Sequence, residues 1–278
     1  MQQAASPGII AGLADELARA ERERRPIQPL TERHAGLSLQ DAYQIQQWNV
    51  AARVRAGQRV LGHKIGLTAV AMQELFGVRE PDYGHLLNPM FLAAGEPLDL
   101  SELIDPQIEV EPAFVLGKSL RGPGLGIAEV LAATDHVTAC FEVIDSRIVD
   151  WRIRLQDTVA DNGSSARVLL GSRRIKPGDL ALDQLDTVLS LDGIAVETGN
   201  TSAILGHPAN GIAWLANNLA AYGVTLEPGA IVLPGTCTRC RRIAGHRRIH
   251  GSIAGLGDVE LVLERAPTVD HSAQAAGS

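Results

Sequence analysis

Glu109 and Glu111 stand two residues apart in the run QIEVEPAFVLG, which reads as a β-strand, so their carboxylates share one face of it. Pro112 supports that reading, because a residue before proline is biased towards extended backbone. Neighbouring carboxylates repel unless a proton or cation lies between them. Glu142, in FEVIDSR, belongs to a second strand-like run whose neighbours Phe141 and Val143 point to the opposite face. Three convergent carboxylates, with water completing an octahedron, would suit Mg²⁺ or Mn²⁺, hard ions that take oxygen ligands. Pattern alone does not make the three meet, and the other reading is a solvated strand face carrying acids.

Lys64 lies in GHKIGLT between Gly62 and Gly66. Glycines allow backbone to approach a ligand closely, and a lysine there could hold a carboxylate or act as an acid; the alternative is a surface lysine on an edge strand. Asp82 and His85 in PDYGH are acid/base candidates, although turns also use Asp for local hydrogen bonds, and Asp82 and Tyr83 are expected on a loop. Asp161, Asn162, Ser164 and Ser165 form a polar turn or part of a site. A competing constellation comes late in the chain: Cys237, Cys240, His246 and His250 are spaced Cys-x2-Cys-x5-His-x3-His, ligand types for tetrahedral zinc. The five residues between the pairs leave a tight loop with no helix to carry the histidines, so an ordinary solvated hairpin is the competing reading. Arg239, Arg241, Arg242, Arg247 and Arg248 make the segment basic, able to contact an anion or a neighbouring subunit. Cys140 is expected to be a buried packing residue.

The elements that must position these groups can be read from periodicity. Ile10, Leu13, Ala14 and Leu17 predict a helix ended by Pro26, and Ser38 with Asp41 forms a capping box for a second helix carrying Leu39, Ala42, Tyr43, Gln46 and Val50, with Pro26–Gly36 as the turn between them. GHKIGL reads as a short strand or loop, and Thr68 can cap a helix through AVAMQELFG. Strands follow in QIEVEPAFVLG, CFEVIDSRI, RVLLGSRR, DTVLSL, IAVETGN and AIVLPG, with a hairpin signal at Asp192-Gly193. WRIRLQDTVADNGSS alternates as a strand would before its polar turn. Helices are expected in IAEVLAAT and in GHPANGIAWLANNLAAYG, the latter with Ile212, Leu215 and Leu219 on one side and Gly223 at its end. Many strands with few helices give an α+β protein dominated by a folded-over sheet. Residues 1–60 read as an N-terminal helical cap, 61–264 as the catalytic domain and 265–278 as a disordered tail.

Composition narrows the function classes. The 278 residues carry 25 Lys plus Arg against 32 Asp plus Glu, a net charge of -7, and are 45% hydrophobic and 21% charged. That excludes disorder by composition and argues against a partner that is nucleic acid or anionic membrane, which calls for a basic face. No run approaches 18 apolar residues and the N-terminus is charged too early for a signal peptide, so a soluble, cytoplasmic protein is expected. Three cysteines cannot form a disulfide framework for this length. Only Lys64, Lys118 and Lys176 are lysines.

GHKIGLTAVAMQELFGVREPDYGHLL, the Glu109-Val110-Glu111 pair, CFEVIDSRIVDWRIRLQDTVADNGSS and LGHPANGIAWLANNLA together resemble the 2-keto-4-pentenoate hydratase family of the fumarylacetoacetate hydrolase superfamily, in order and over about residues 10 to 260. The resemblance implies a mixed β-roll or distorted barrel with a small N-terminal helical region, and Mg²⁺ or Mn²⁺ held by Glu109, Glu111 and Glu142. It places Lys64, Asp82 and Ser164 in the substrate pocket. It implies metal-dependent hydration of 2-hydroxypenta-2,4-dienoate to 4-hydroxy-2-oxopentanoate in meta-cleavage degradation of aromatic compounds, by a homo-oligomer, pentameric or decameric. The nearest rival is 4-oxalocrotonate decarboxylase, which resembles the hydratases and uses the same metal-enolate strategy; its usual methionine before the glycine and its lack of aspartate in the PxYG stretch differ from Ile65 and Asp82 here. A fumarylacetoacetate-type C–C hydrolase usually carries a His-Glu pair in a different motif. The non-enzyme reading is a partner that stabilises a neighbouring pathway enzyme. The sequence departs from the family at Pro112, where an edge position or bulge is expected, at His246 after Gly245, and at Asp258.

Overall fold

The computed structural model describes residues 5–69, 73–74 and 77–264. Ser6 caps α1 (Pro7–Glu23), whose Ile10, Leu13, Ala14 and Leu17 are buried on one face as the 3.6-residue repeat requires. The segment expected as a plain turn contains a short helix, α2 (Leu30–Arg33). The capping box of α3 (Leu39–Arg55) forms as read: Asp41 N donates to Ser38 Oγ at 3.1 Å and Ser38 N donates to Asp41 Oδ2 at 3.0 Å. Leu39 stays exposed, while Ala42, Ile45 and Val50 are buried. The helices share an apolar cluster with Ile148, Val159 and Ala160.

β1 (Val60–Gly66) and β2 (Asp82–Leu87) pair antiparallel, with Lys64 opposite Gly84 and Gly66 opposite Asp82. Asp82 and Tyr83 therefore open a strand instead of lying on a loop; the turn signals of REPDYG stop at Pro81, and buried pairing with β1 overrides them. The helix expected through AVAMQELFG lies largely outside the described residues, with Gln73 and Glu74 helical, and the 265–278 tail lies wholly outside them. β3 (Leu98–Asp99), β4 (Gln107–Leu116), α4 (Ile127–Ala133) and β5 (Thr134–Ile144) follow. The alternation in WRIRLQDTVADNGSS does not make a strand: residues 155–160 form α5 (Leu155–Ala160). Asp157 secures this helix by accepting from Arg154 N at 3.0 Å in its own first turn and from Thr31 N and Oγ1 at 3.1 and 2.7 Å.

β6 (Ser165–Leu170) precedes the hairpin β7 (Asp186–Leu191) and β8 (Ile194–Asn200). Asp192 and Gly193 both take positive φ, 50 and 84°, the geometry an Asp-Gly type I′ turn demands. α6 (Pro208–Ala220) buries Ile212, Leu215 and Leu219. β9 (Ile231–Leu233), β10 (Arg241–Arg242), β11 (Arg248–Ile253) and β12 (Gly257–Glu264) complete the chain described.

The strands form a seven-stranded sheet in the order β2-β1-β9-β4-β5-β6, with β10 on β4, and a five-stranded sheet in the order β3-β12-β11-β7-β8. Both are mixed, since β1 runs parallel to β9 and β12 parallel to β3. Alternation splits the β4–β5 ladder into two faces. Ile108, Val110, Phe114, Ala139, Phe141 and Val143 join the main core with Leu189, Ile249 and Leu261 of the second sheet, and Gly251 lies so near that a Cβ there would stand 2.7 Å from the Phe141 ring. The other face carries Glu109, Glu111 and Glu142. On it the larger sheet curls: Phe91, just past β2, bridges to Val168 of β6 and closes a distorted barrel. Pro112 sits at a local edge, because β9 pairs with β4 at Phe114 and Val115 and β10 at Gln107 and Ile108, leaving residue 112 free of a ladder partner on that side.

Candidate active site

The register of β4 against β5 places Glu109 directly opposite Glu142 and Glu111 opposite Cys140. One oxygen from each of Glu109, Glu111 and Glu142 lies within 4.8 Å of the others. Glu111 and Glu142 are 1% and 0% exposed, which rules out the solvated strand face. Like charges directly opposite on paired strands destabilise a sheet, and burial magnifies the cost. Burial pushes the Glu109 carboxyl up to about 7 and raises Glu111 and Glu142 as well, with the mutual repulsion of the carboxylates adding to it at Glu109 and Glu111 and Lys64 opposing it at all three. Gly235 N donates to Glu111 Oε2 at 2.8 Å, whereas neither oxygen of Glu142 has a hydrogen-bond partner among the described residues. A buried carboxylate with no hydrogen bond to either oxygen, facing two more, is a donor set that fits a hard divalent cation.

Lys64 reaches this cluster across the curl. On a flat sheet β1 would stand three strand spacings, about 14 Å, from β5, yet Lys64 Nζ is 3.4 Å from Glu142 Oε2 and donates to Gly163 O at 3.2 Å. Burial alone would favour neutral lysine, but Glu142, Glu109, Asp82 and Glu111 outweigh it and hold the ammonium above its ordinary value, so Lys64 is a charged donor. Asp82 lies on the same face of the hairpin. Gly66 opposite it leaves the carboxyl its place, since a Cβ there would stand 2.1 Å from Asp82 Oδ1 and displace it. That oxygen is buried without a hydrogen-bond partner among the described residues, and burial raises the carboxyl against the pull of Lys64. One ammonium therefore faces four carboxyl groups. Asp82 also borders a groove of ≈ 350 Å³ walled by Tyr43, Leu155, Trp214 and Tyr222.

Ser164 is buried beside the cluster, one residue from the carbonyl that Lys64 uses, but its hydroxyl donates to Asp161 Oδ2 at 3.2 Å. Asp161 in turn is held by Arg147 N at 3.0 Å and Nε at 2.5 Å. His85 lies on the opposite face of the hairpin with His63, ring centroids 4.9 Å apart, and its Nδ1 is 3.0 Å from Gln46 Oε1. Gln46 Nε2 donates to Tyr83 O and Val159 O, so its carbonyl accepts and His85 Nδ1 carries the proton. Burial lowers His63 to about 3 and His85 to about 4, keeping both neutral.

The zinc-type constellation does not assemble. Cys237 Sγ bonds Thr187 Oγ1 at 3.2 Å, Cys240 Sγ bonds Gln107 Oε1 at 3.0 Å, and His246 Nδ1 is 2.9 Å from Asp192 Oδ2. Among the described residues the cluster of metal-ligand type is the glutamate one. The basic run is largely neutralised within the chain, by Arg241 with Glu197, Arg242 with Asp105 and Arg248 with Glu260. Nor is the segment one hairpin: only β11 and β12 form that. Cys140 is fully buried as packing. Sequence reasoning does not single out the Gly163 carbonyl or the Gly235 N–H, backbone groups whose only signals are glycines in DNGSS and LPGT.

Residues 79–263 match the family described as fumarylacetoacetate (FAA) hydrolase C-terminal. A 2-hydroxypent-2,4-dienoate hydratase of Pseudomonas putida is 45% identical over 78% of this chain and 98% of its own. A 2-oxo-hept-4-ene-1,7-dioate hydratase of Escherichia coli is 42% identical over 82% of this chain and 87% of its own. The structure of 4-oxalocrotonate decarboxylase from Pseudomonas putida G7, complexed with magnesium and adipate, superposes with a TM-score of 0.89 at 34% identity, covering 94% of this chain and 100% of that one. The curled mixed sheet, its buried carboxylates and these likenesses agree, and the chain is an enzyme belonging to the 2-keto-4-pentenoate hydratase family within the fumarylacetoacetate hydrolase superfamily.

Proposed function

We propose that the protein adds water to 2-hydroxypenta-2,4-dienoate, giving 4-hydroxy-2-oxopentanoate. The observation that carries this reading is the convergence of half-buried Glu109 with buried Glu111 and Glu142 beside the Lys64 ammonium, in a chain more similar to the hydratases above than to the decarboxylase. Held by the three glutamates, a Mg²⁺ or Mn²⁺ ion would supply positive charge to the substrate's 1-carboxylate and 2-oxygen. Lys64, already charged and aimed into the cluster, donates a hydrogen bond to the 2-oxygen as negative charge gathers there. Asp82, with a raised carboxyl and a free buried oxygen, is the group suited to carry a proton. The enol proton leaves the 2-hydroxyl and C5 gains one, giving the 2-oxo-3-enoate. Water then adds its oxygen at C4 and a proton at C3, with Asp82 orienting or deprotonating that water. Ser164 supports the pocket through the turn that it shares with Gly163.

The decarboxylase reading shares the fold and the three glutamates, and Ile65 and Asp82 favour the hydratase. Protein stripped with EDTA and restored separately with Mg²⁺, Mn²⁺ or Zn²⁺ is to be offered 2-hydroxypenta-2,4-dienoate and 4-oxalocrotonate, with products identified by mass. Formation of 4-hydroxy-2-oxopentanoate with Mg²⁺ or Mn²⁺ supports the proposal; CO₂ release from 4-oxalocrotonate with no hydration moves the assignment to the decarboxylase.

A further inference from the structure

Three consecutive residues next to the site, Asn162, Gly163 and Ser164, have φ of 58, 62 and 55°. L-residues avoid this left-handed region, glycine and asparagine least, so a run that includes Ser164 persists only where its surroundings hold it. Two clamps do so here. From one side Arg147 grips Asp161 through its side chain and its backbone nitrogen. From the other, the Asn162 side chain acts like a piece of strand laid against β2: His85 N donates to Asn162 Oδ1 at 2.8 Å, and Asn162 Nδ2 donates to His85 O at 2.9 Å. The approach is close enough that residue 84 must be glycine, because a Cβ there would meet Asn162 O at 2.4 Å. The turn so fixed presents Gly163 O to Lys64 Nζ, and a Cβ on Gly163 would stand 3.0 Å from Lys64 Cδ.

We propose that Asn162 is a positioning residue: by gripping both backbone groups of His85 it locks the left-handed turn whose Gly163 carbonyl sets the place of the Lys64 ammonium against Glu142. The inference rests on the role given to Lys64 above. Asn162 touches neither the carboxylate cluster nor the ammonium, and acts through the turn alone.

Asn162→Gly separates the clamp from the backbone conformation, since glycine accepts positive φ without strain but cannot hold His85. In the Mn²⁺-loaded enzyme Asn162→Gly is expected to lose about tenfold or more in kcat with KM changed by no more than about twofold, the signature of a misplaced group. Its Mn²⁺ affinity stays that of the parent. Asn162→Asp keeps the acceptor for His85 N and is expected to retain more activity than Asn162→Gly. Because Lys118 and Lys176 are exposed and Lys64 is buried, ¹⁵N-lysine labelling reads the Lys64 ammonium by itself. Its resonance shifts in Asn162→Gly while the other two stay fixed, whether or not the dienoate proves to be the substrate. A parental kcat in Asn162→Gly, an equal fall in Mn²⁺ affinity, or an unmoved Lys64 resonance would each overturn the proposal.

Discussion

The glutamates of β4 and β5 and the cysteines and histidines that follow β9 are both rich in cation-binding groups, yet only the first set converges. In the ladder, period-two alternation and register put Glu109, Glu111 and Glu142 on one inward face, with Lys64 as their counter-charge among the described residues. In the later segment three of the four groups have a hydrogen-bond partner nearby, Cys237 with Thr187, Cys240 with Gln107 and His246 with Asp192, and the fourth, His250, is exposed with Asp258 3.8 Å away. The difference lies in what is left unsatisfied. Half-buried residues such as Cys237, Cys240 and His246 are satisfied by their neighbours at little cost, whereas a fully buried carboxylate without a hydrogen bond marks a place where the fold has accepted a penalty that a ligand can relieve.

Four measurements would break or sharpen that contrast. Glu142→Gln keeps the shape and removes the charge, and should lower turnover by about 10³-fold or more while the protein remains folded by circular dichroism; a variant within tenfold of the parent would mean the cluster is not the reacting centre. Lys64→Met should reduce kcat by about 10²-fold, with the divalent-ion affinity retained in calorimetry, because the ammonium acts on the substrate oxygen. The third concerns acid. His63 and His85 have folded-state values below the ordinary one, so the unfolded chain binds protons that the fold refuses; their stability contribution is complete above about pH 6.5 and is lost as pH falls towards 4. Each should cost up to about 2 kcal/mol between pH 6.5 and 5, and Tm measured across that range should fall less steeply in His63→Asn. The smallest effect is expected where the ligand types disperse: joint replacement of Cys237 and Cys240 by Ser and of His246 and His250 by Gln should leave metal content unchanged and activity within about twofold. Loss of bound metal there would restore the zinc reading.

Much of the site is legible in the amino-acid sequence. Glu109 and Glu111 share a face because strand period is two, a local rule that needs no tertiary information. Glu142 joins them only through resemblance, since its partnership with Glu109 depends on register across a ladder joined by a long connection. Asp82 reads as a turn residue because Pro81 and Gly84 flank it, although Gly84 is there for the approach of Asn162. The helix at 155–160 is hidden for a related reason: six residues give too little periodicity, and its anchor is Thr31, far back in the chain. The turn at 162–164 is signalled by Asn162 and Gly163, but its left-handed course through Ser164 is not, since the groups that enforce it come from β2 and Arg147.

The position of β9 carries a consequence for synthesis. This three-residue strand lies between β1 and β4, so until residues 231–233 are in place the hairpin bearing Lys64 and Asp82 is tied to the strands bearing the glutamates through β2, by His85 with Asn162 and Phe91 with Val168, and not through β1. Lys64 and Gly163 are separated by 99 positions and Gly235 and Glu111 by 124. Contacts of such separation form late. On the ribosome the sheet therefore stays open between β1 and β4 until residues 231–233 emerge, and every earlier length can hold the acids and their ammonium together from one side of the barrel alone.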